Sequence, residues 1–130
     1  MPKAFLTLTF LPGQFAICRL DPSAPVPSWA TMGTFYSITQ APAEQLSIVC
    51  AAQNVPADLK SDRGWRILKF EGPLDIELIG VIASVAEPLA DAGVPIFPLA
   101  TYATDYVLIK QEQVEAATQA LTAFGHAVRQ

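Results

Sequence analysis

The stretch Gly64–Lys110, GWRILKFEGPLDIELIGVIASVAEPLADAGVPIFPLATYATDYVLIK, decides the fold. Trp65–Glu71 is rich in bulky, β-favouring residues and stops at Gly72-Pro73, a turn signal. Leu74–Leu78 follows as a short acidic approach carrying Asp75 and Glu77. At Ile79 the period changes. Ile79, Ile82, Ala86, Leu89 and Gly93 recur at spacings of 3, 4, 3 and 4, which predicts a helix with one apolar face, ended by Gly93. Pro88 lies inside that pattern and frees the carbonyl of Ser84, so a local kink is expected. Val94–Tyr102 reads as a strand, but Pro95 and Pro98 cannot donate ladder hydrogen bonds, which makes it an edge or irregular strand. Ala103-Thr104 is the turn, and Asp105–Lys110 returns as a clean apolar strand.

Downstream, Val114, Ala117, Leu121 and Phe124 give a second helical stripe with Gly125 as its C-cap, and His126–Arg129 is a short last strand. The order from Trp65 onward is therefore strand, helix, strand, strand, helix, strand. That is the α+β ferredoxin-like split βαβ, an antiparallel sheet with two helices on one face. Its first and third strands are central and its second is an edge, which suits the two prolines.

Upstream, Leu6, Leu8 and Phe10 alternate with Phe5, Thr7 and Thr9, the pattern of a half-buried strand. Pro12-Gly13 is a turn and Phe15–Leu20 the next strand, followed by the proline-rich connector Asp21–Pro27. Ser28 is placed to cap a short helix through Met32, ended by Gly33. Thr34–Thr39 and Leu46–Ala52 read as a hairpin across the loop Gln40–Glu44. The polar segment Asn54–Arg63 is the best boundary, dividing the chain into residues 1–63 and 64–130. Trp65–Glu71 either closes the first part or begins the second.

Composition narrows the function classes. An apolar share of 52% and a charged share of 15% fill a core easily and leave surface to hide against a partner subunit. A net charge of −4 with scattered Lys and Arg argues against nucleic acid. No apolar run approaches the ~20 residues that span a bilayer, and Pro12-Gly13 interrupts the one stretch resembling a signal segment. A soluble, cytoplasmic protein is expected. Cys18 and Cys50 lack metal-ligand spacing and sit in apolar runs, so they read as buried thiols. Asp75 and Glu77 have no nucleophile or base beside them and read as a solvated face. His126 is the single histidine, too few for a metal site, and reads as a surface or packing residue. No glycine loop for a phosphate-bearing cofactor is present, and no cofactor is implied.

The residues Gly80-Val81, Pro88-Leu89-Ala90, Val94–Phe97 and Thr101–Tyr106, together with TFYSITQAPAEQLSIVCAA at Thr34–Ala52, resemble the ACT-domain proteins of the bacterial and animal CASTOR type. The resemblance implies two tandem ACT-like units, the first divergent, in a homodimer that binds an amino acid between units. It implies that Gly80, Val81 and Ile82 offer helix-start amides to a ligand carboxylate, a favourable arrangement for any anion. It further implies that Val94, Pro95 and Ile96 come from the facing unit, and that Thr104 and Asp105 stand at the hairpin, where a carboxylate can hold an amino group. Ala100, Ala103 and Pro95 replace polar residues of the family's pattern. They motivate the alternative of a structural or interaction module; a separate regulatory subunit of an amino-acid enzyme is a further one.

Overall fold

A computed structural model describes residues 5–71 and 80–130. Its strands and helices, in chain order, are β1 (Thr7–Phe10), β2 (Phe15–Leu20), β3 (Ser37–Ala41), β4 (Gln45–Ala51), β5 (Asp62–Phe70), α1 (Val81–Asp91), β6 (Phe97–Ala100), β7 (Asp105–Lys110), α2 (Val114–Phe124) and β8 (Ala127–Arg129). Short 3-10 turns occupy Ser28–Thr31, Ala52–Asn54 and Gln111–Gln113. The turn at Gly72-Pro73, the acidic approach Leu74–Leu78 and Ile79 lie outside the described residues.

Two compact units form, one of Gly13–Trp65 and one joining the stretch up to Pro12 to Arg66–Gln130. The division within the chain falls between Trp65 and Arg66, and the stretch up to Pro12 groups with the C-terminal elements. The first strand belongs with the C-terminal elements because its two large inward side chains, Leu8 and Phe10, complete their core. The strand β5 serves both units: Trp65 and Asp62 pair with β2, whereas Leu68–Phe70 pair with β1.

In the C-terminal unit, β6 pairs with β7, β7 with β5, β5 with β1 and β1 with β8. From β5 to β8 the chain runs strand, helix, strand, strand, helix, strand, with β5 and β7 interior and β6 at the edge, as the sequence predicts. The fourth strand departs from a simple four-stranded antiparallel sheet. Between β5 and β8 lies β1, antiparallel to β5 (Leu8 opposite Phe70) and parallel to β8 (Leu8 opposite Val128). A three-residue β8 brings only Val128 to the core's edge. The fully buried Leu8 and nearly buried Phe10 provide the apolar area that β8 lacks.

Both helices feed this same core. In α2, Ala117 and Leu121 are buried and Val114 packs against them, on the predicted stripe, with Gly125 as C-cap. In α1 the buried face is Val81, Ser84, Val85 and Leu89, while Ile82 is 41% exposed. The expected stripe through Ile82 and Ala86 is thus rotated by about one residue. The segment VIASVAEPLAD is apolar on more than one side, so periodicity alone could not select which face meets the sheet.

The N-terminal unit repeats the same order in reduced form: β2, a 3-10 turn, β3, β4, a 3-10 turn, β5. Its strands neighbour one another as β3-β4-β2-β5, all antiparallel. Prolines at 22, 25 and 27 leave no run long enough for an α-helix before β3. Ser28 begins the 3-10 turn instead of capping it; Pro27 holds the cap position. The core of this unit is Ala16, Cys18, Ala30, Leu46, Ile48, Cys50 and Val55.

Because β1 carries core that β8 cannot replace, Leu8→Ala is expected to cost about 2–5 kcal/mol. Urea denaturation followed by circular dichroism checks this, and a loss below about 1 kcal/mol would show that the inserted strand is dispensable.

Candidate functional site

Residues singled out from the sequence gather at three places in the C-terminal unit. The first is the start of α1. Gly80 caps the helix with φ 83° and ψ 8°, and among the described residues no side chain caps it. Its carbonyl accepts the first helical hydrogen bond, from the Ser84 amide at 3.0 Å. Among the described residues a Cβ on Gly80 would meet nothing within 4 Å, and the left-handed backbone is the reason glycine suits this position. Of the two residues that follow, Val81 is turned into the core and Ile82 out of it.

The second place is the segment between α1 and β6. Gly93 adopts φ 74° and reverses the chain, with Val94 N–H donating to the Leu89 carbonyl at 2.9 Å. Val94 is buried, Pro95 is exposed and Ile96 is half-buried, packing against the core. With Ala86, Ala90 and Gly93 they line a shallow apolar cavity of about 440 Å³. Within one chain this cavity includes neither the start of α1 nor the hairpin after β6.

The third place is that hairpin. Thr101 organises it: its hydroxyl accepts from the Ala103 and Thr104 amides at 3.3 and 3.2 Å, and its own amide donates to the Thr104 carbonyl at 2.9 Å. Threonine at a turn is a sequence signal for this geometry, and Thr101 opens the Thr101–Tyr106 motif. Thr104 is buried and its hydroxyl donates to the Phe70 carbonyl, tying the hairpin to β5. Asp105 opens β7, half-buried, opposite Ala100. Beside them Tyr102 is 87% exposed at the tip.

What fixes α1 against the sheet is His126, which is 3% exposed. Its Nδ1 accepts the Leu6 amide at 3.0 Å, so its proton sits on Nε2, 2.8 Å from the Ser84 carbonyl. That carbonyl is the one Pro88 deprives of its helical donor. The ring also stacks on Phe124, with centroids 5.2 Å apart. Of the two roles the sequence allows this histidine, surface or packing, the structure shows the second: it is buried and both ring nitrogens are satisfied. The one available hint was that a freed carbonyl needs a donor.

Cys18 and Cys50 are free and buried in the N-terminal unit. Burial first, and then the neighbouring Cys18 thiol, push Cys50 up to about 11, with Arg63 opposing. The thiol is protonated at neutral pH and a poor nucleophile. Among the described residues, no group of three or more His, Cys, Asp or Glu side chains is placed to hold a metal ion, and no helix is long and apolar enough to cross a membrane.

A family model described as an ACT domain matches residues 60–123, and a second, described as an N-terminal domain, matches residues 13–58. The chain belongs to the ACT-domain family. It is 34% identical to protein Atu0741 of Agobacterium tumefaciens, whose crystal structure superposes with a TM-score of 0.91 over 98% of this chain and 95% of that one. It is 29% identical over 107 residues to the human cytosolic arginine sensor for mTORC1 subunit 1, covering 76% of this chain and 31% of the sensor's length. The ligand-free regulatory subunit of aspartate kinase from Thermus thermophilus shares the fold, with a TM-score of 0.63 at 14% identity over 95% of this chain and 99% of that one.

The histidine account predicts a coupled pair. His126→Ala orphans the Leu6 amide and the Ser84 carbonyl and is expected to cost about 2–5 kcal/mol. In a Pro88→Ala background a helical amide can meet Ser84 again, so the same substitution should cost about 1–2 kcal/mol less. A double-mutant cycle by urea denaturation checks it; equal costs in both backgrounds would refute the coupling.

Proposed function

We propose that this chain is a non-catalytic regulatory protein that binds a free amino acid at the junction of two copies, in the cytoplasm. The start of α1, Gly80–Ile82, faces the Val94–Ile96 segment of a second copy and presents its amides to the ligand carboxylate. Asp105, at the mouth of the hairpin, takes the ligand's amino group or basic side chain.

The single observation that carries this reading is the outer face of α1. Ile82 is 41% exposed, and the apolar cavity of Ala86, Ala90, Pro95 and Ile96 stands open beside it. An uncovered apolar face beside a helix start without a side-chain cap suits a second copy and an anion between them. The similarity to an arginine sensor supports the amino-acid class without choosing the amino acid. Ligand binding would act by favouring one arrangement of the two copies, to the extent that it binds that arrangement more tightly.

A second reading, an assembly module without a ligand, is favoured by one specific feature. Thr104 spends its hydroxyl on Phe70, and Pro95 has no amide to offer.

Two measurements separate the readings. Protein unfolded and refolded to strip bound ligand is titrated calorimetrically with each of the twenty amino acids. Saturable heat with one of them, reduced about tenfold or more by Asp105→Ala, is expected. Ile82→Asp should convert dimer to monomer in light scattering, since a charge buried at an apolar junction is strongly unfavourable. A dimer that survives Asp105→Ala with no heat from any amino acid would leave the assembly module standing.

A further inference from the structure

A separate cleft in the N-terminal unit, of about 580 Å³, is lined by Ile17, Arg19, Lys60, Ser61 and Asp62. Its construction follows from a register slip. Phe15 pairs with Trp65 and Ile17 with Asp62, so β5 spends one more residue than β2 between the two pairs. Gly64, at φ 83°, absorbs that extra residue as a bulge. The bulge sets Lys60–Asp62 beside Ile17 and Arg19, which are two apart on β2 and so share the face opposite Ala16 and Cys18.

Three features of this cleft point to a ligand. Neither the Arg19 guanidinium nor the Lys60 ammonium has an ion-pair or hydrogen-bond partner among the described residues. The Ser61 hydroxyl oxygen is buried and has no hydrogen-bond partner among the described residues, which is uncommon for a buried polar atom. Ile17 adds an apolar wall, and the volume is that of a small organic molecule, far beyond a bare ion. Two cations against the single Asp62 carboxylate leave the cleft net positive in a chain of net charge −4.

We infer that this cleft binds a small organic dianion, either a dicarboxylate or a phosphomonoester. Arg19 grips one oxyanion through its planar fork, Ser61 donates its hydroxyl to the same group, and Lys60 supplies the second charge. Asp62 limits the affinity and orients the ligand by repelling its anionic end. The site is distinct from the amino-acid junction proposed above and uses none of its residues.

The test uses the whole chain, labelled with nitrogen-15, titrated at low ionic strength with succinate and, separately, with glycerol 1-phosphate. Saturable shifts of the Ile17, Ser61 and Asp62 amides with one probe are expected, and the responsive probe tells carboxylate from phosphate. Arg19→Gln and Lys60→Gln should each weaken that binding about tenfold or more, while Arg129→Gln, a loss of equal charge elsewhere, leaves it unchanged. No saturable shift with either probe up to about 10 mM would overturn the inference. So would binding that survives both cleft substitutions, or equal weakening by Arg129→Gln, which would mark a net-charge effect. Arg19 and Lys60 are exposed, so the variants should fold, and their unchanged spectra away from the cleft verify it.

Discussion

A neutral imidazole holds the C-terminal unit together. Pro88 removes the amide that would satisfy the Ser84 carbonyl, and a buried carbonyl without a donor costs about 1–3 kcal/mol. The Nε2 proton of His126 meets it at 2.8 Å, which leaves Nδ1 free to accept the Leu6 amide at 3.0 Å. One ring thereby ties α1 to the residue before β1 from a position immediately before β8. Its approach is set by Gly125, whose φ of 125° turns the chain off α2 and whose missing Cβ makes room for the Phe5 ring. Leu6 contributes both of its backbone groups, because its carbonyl accepts the Ala127 amide at 2.9 Å. The position of α1, and so of its uncapped start and outer face, depends on this arrangement.

Local signals were legible in the sequence and non-local ones were not. The β3–β4 hairpin, the β6–β7 turn, the α2 stripe and the edge position of the proline-bearing β6 all follow from residues near one another. The alternation of Leu8 and Phe10 with Thr7 and Thr9 marked a strand and its buried face. It could not say that this strand would lie between β5 and β8, since pairing across about a hundred residues leaves no periodic trace. Helix phase failed for a different reason. On α1 both Val81–Val85–Leu89 and Ile82–Ala86 are apolar, and two candidate stripes defeat a rule that counts one.

That ambiguity in α1 is informative about the candidate site. A helix serving only as cover for a sheet needs one apolar stripe and is otherwise polar. Here the face turned from the core carries Ile82, Ala83, Ala86 and Ala90, of which Ala86 is half-buried and the others are exposed. Small residues there allow close approach of another surface, and the open cavity at Pro95 and Ile96 continues the same apolar area. The candidate site was legible to the same degree: its residue types and order could be read, but not the division of labour among them. Thr104, read as a ligand contact, gives its hydroxyl to Phe70, while Thr101 shapes the turn.

The repeated order of elements separates the kinds of chemistry available to the two units. Each follows strand, helical segment, strand, strand, helical segment, strand, but only the C-terminal one has helices of 11 residues. A helix of that length aligns enough peptide dipoles to attract a carboxylate through backbone amides alone. The N-terminal unit has 3-10 turns of four and three residues in those places, too short for such a field. Any anion it holds must be held by side chains, and Arg19 and Lys60 are the cations that its bulged strand pair leaves at an open cleft. The prolines that prevent a helix before β3 thus leave the unit without a backbone-dipole site there, so that any anion recognition falls to ionised side chains.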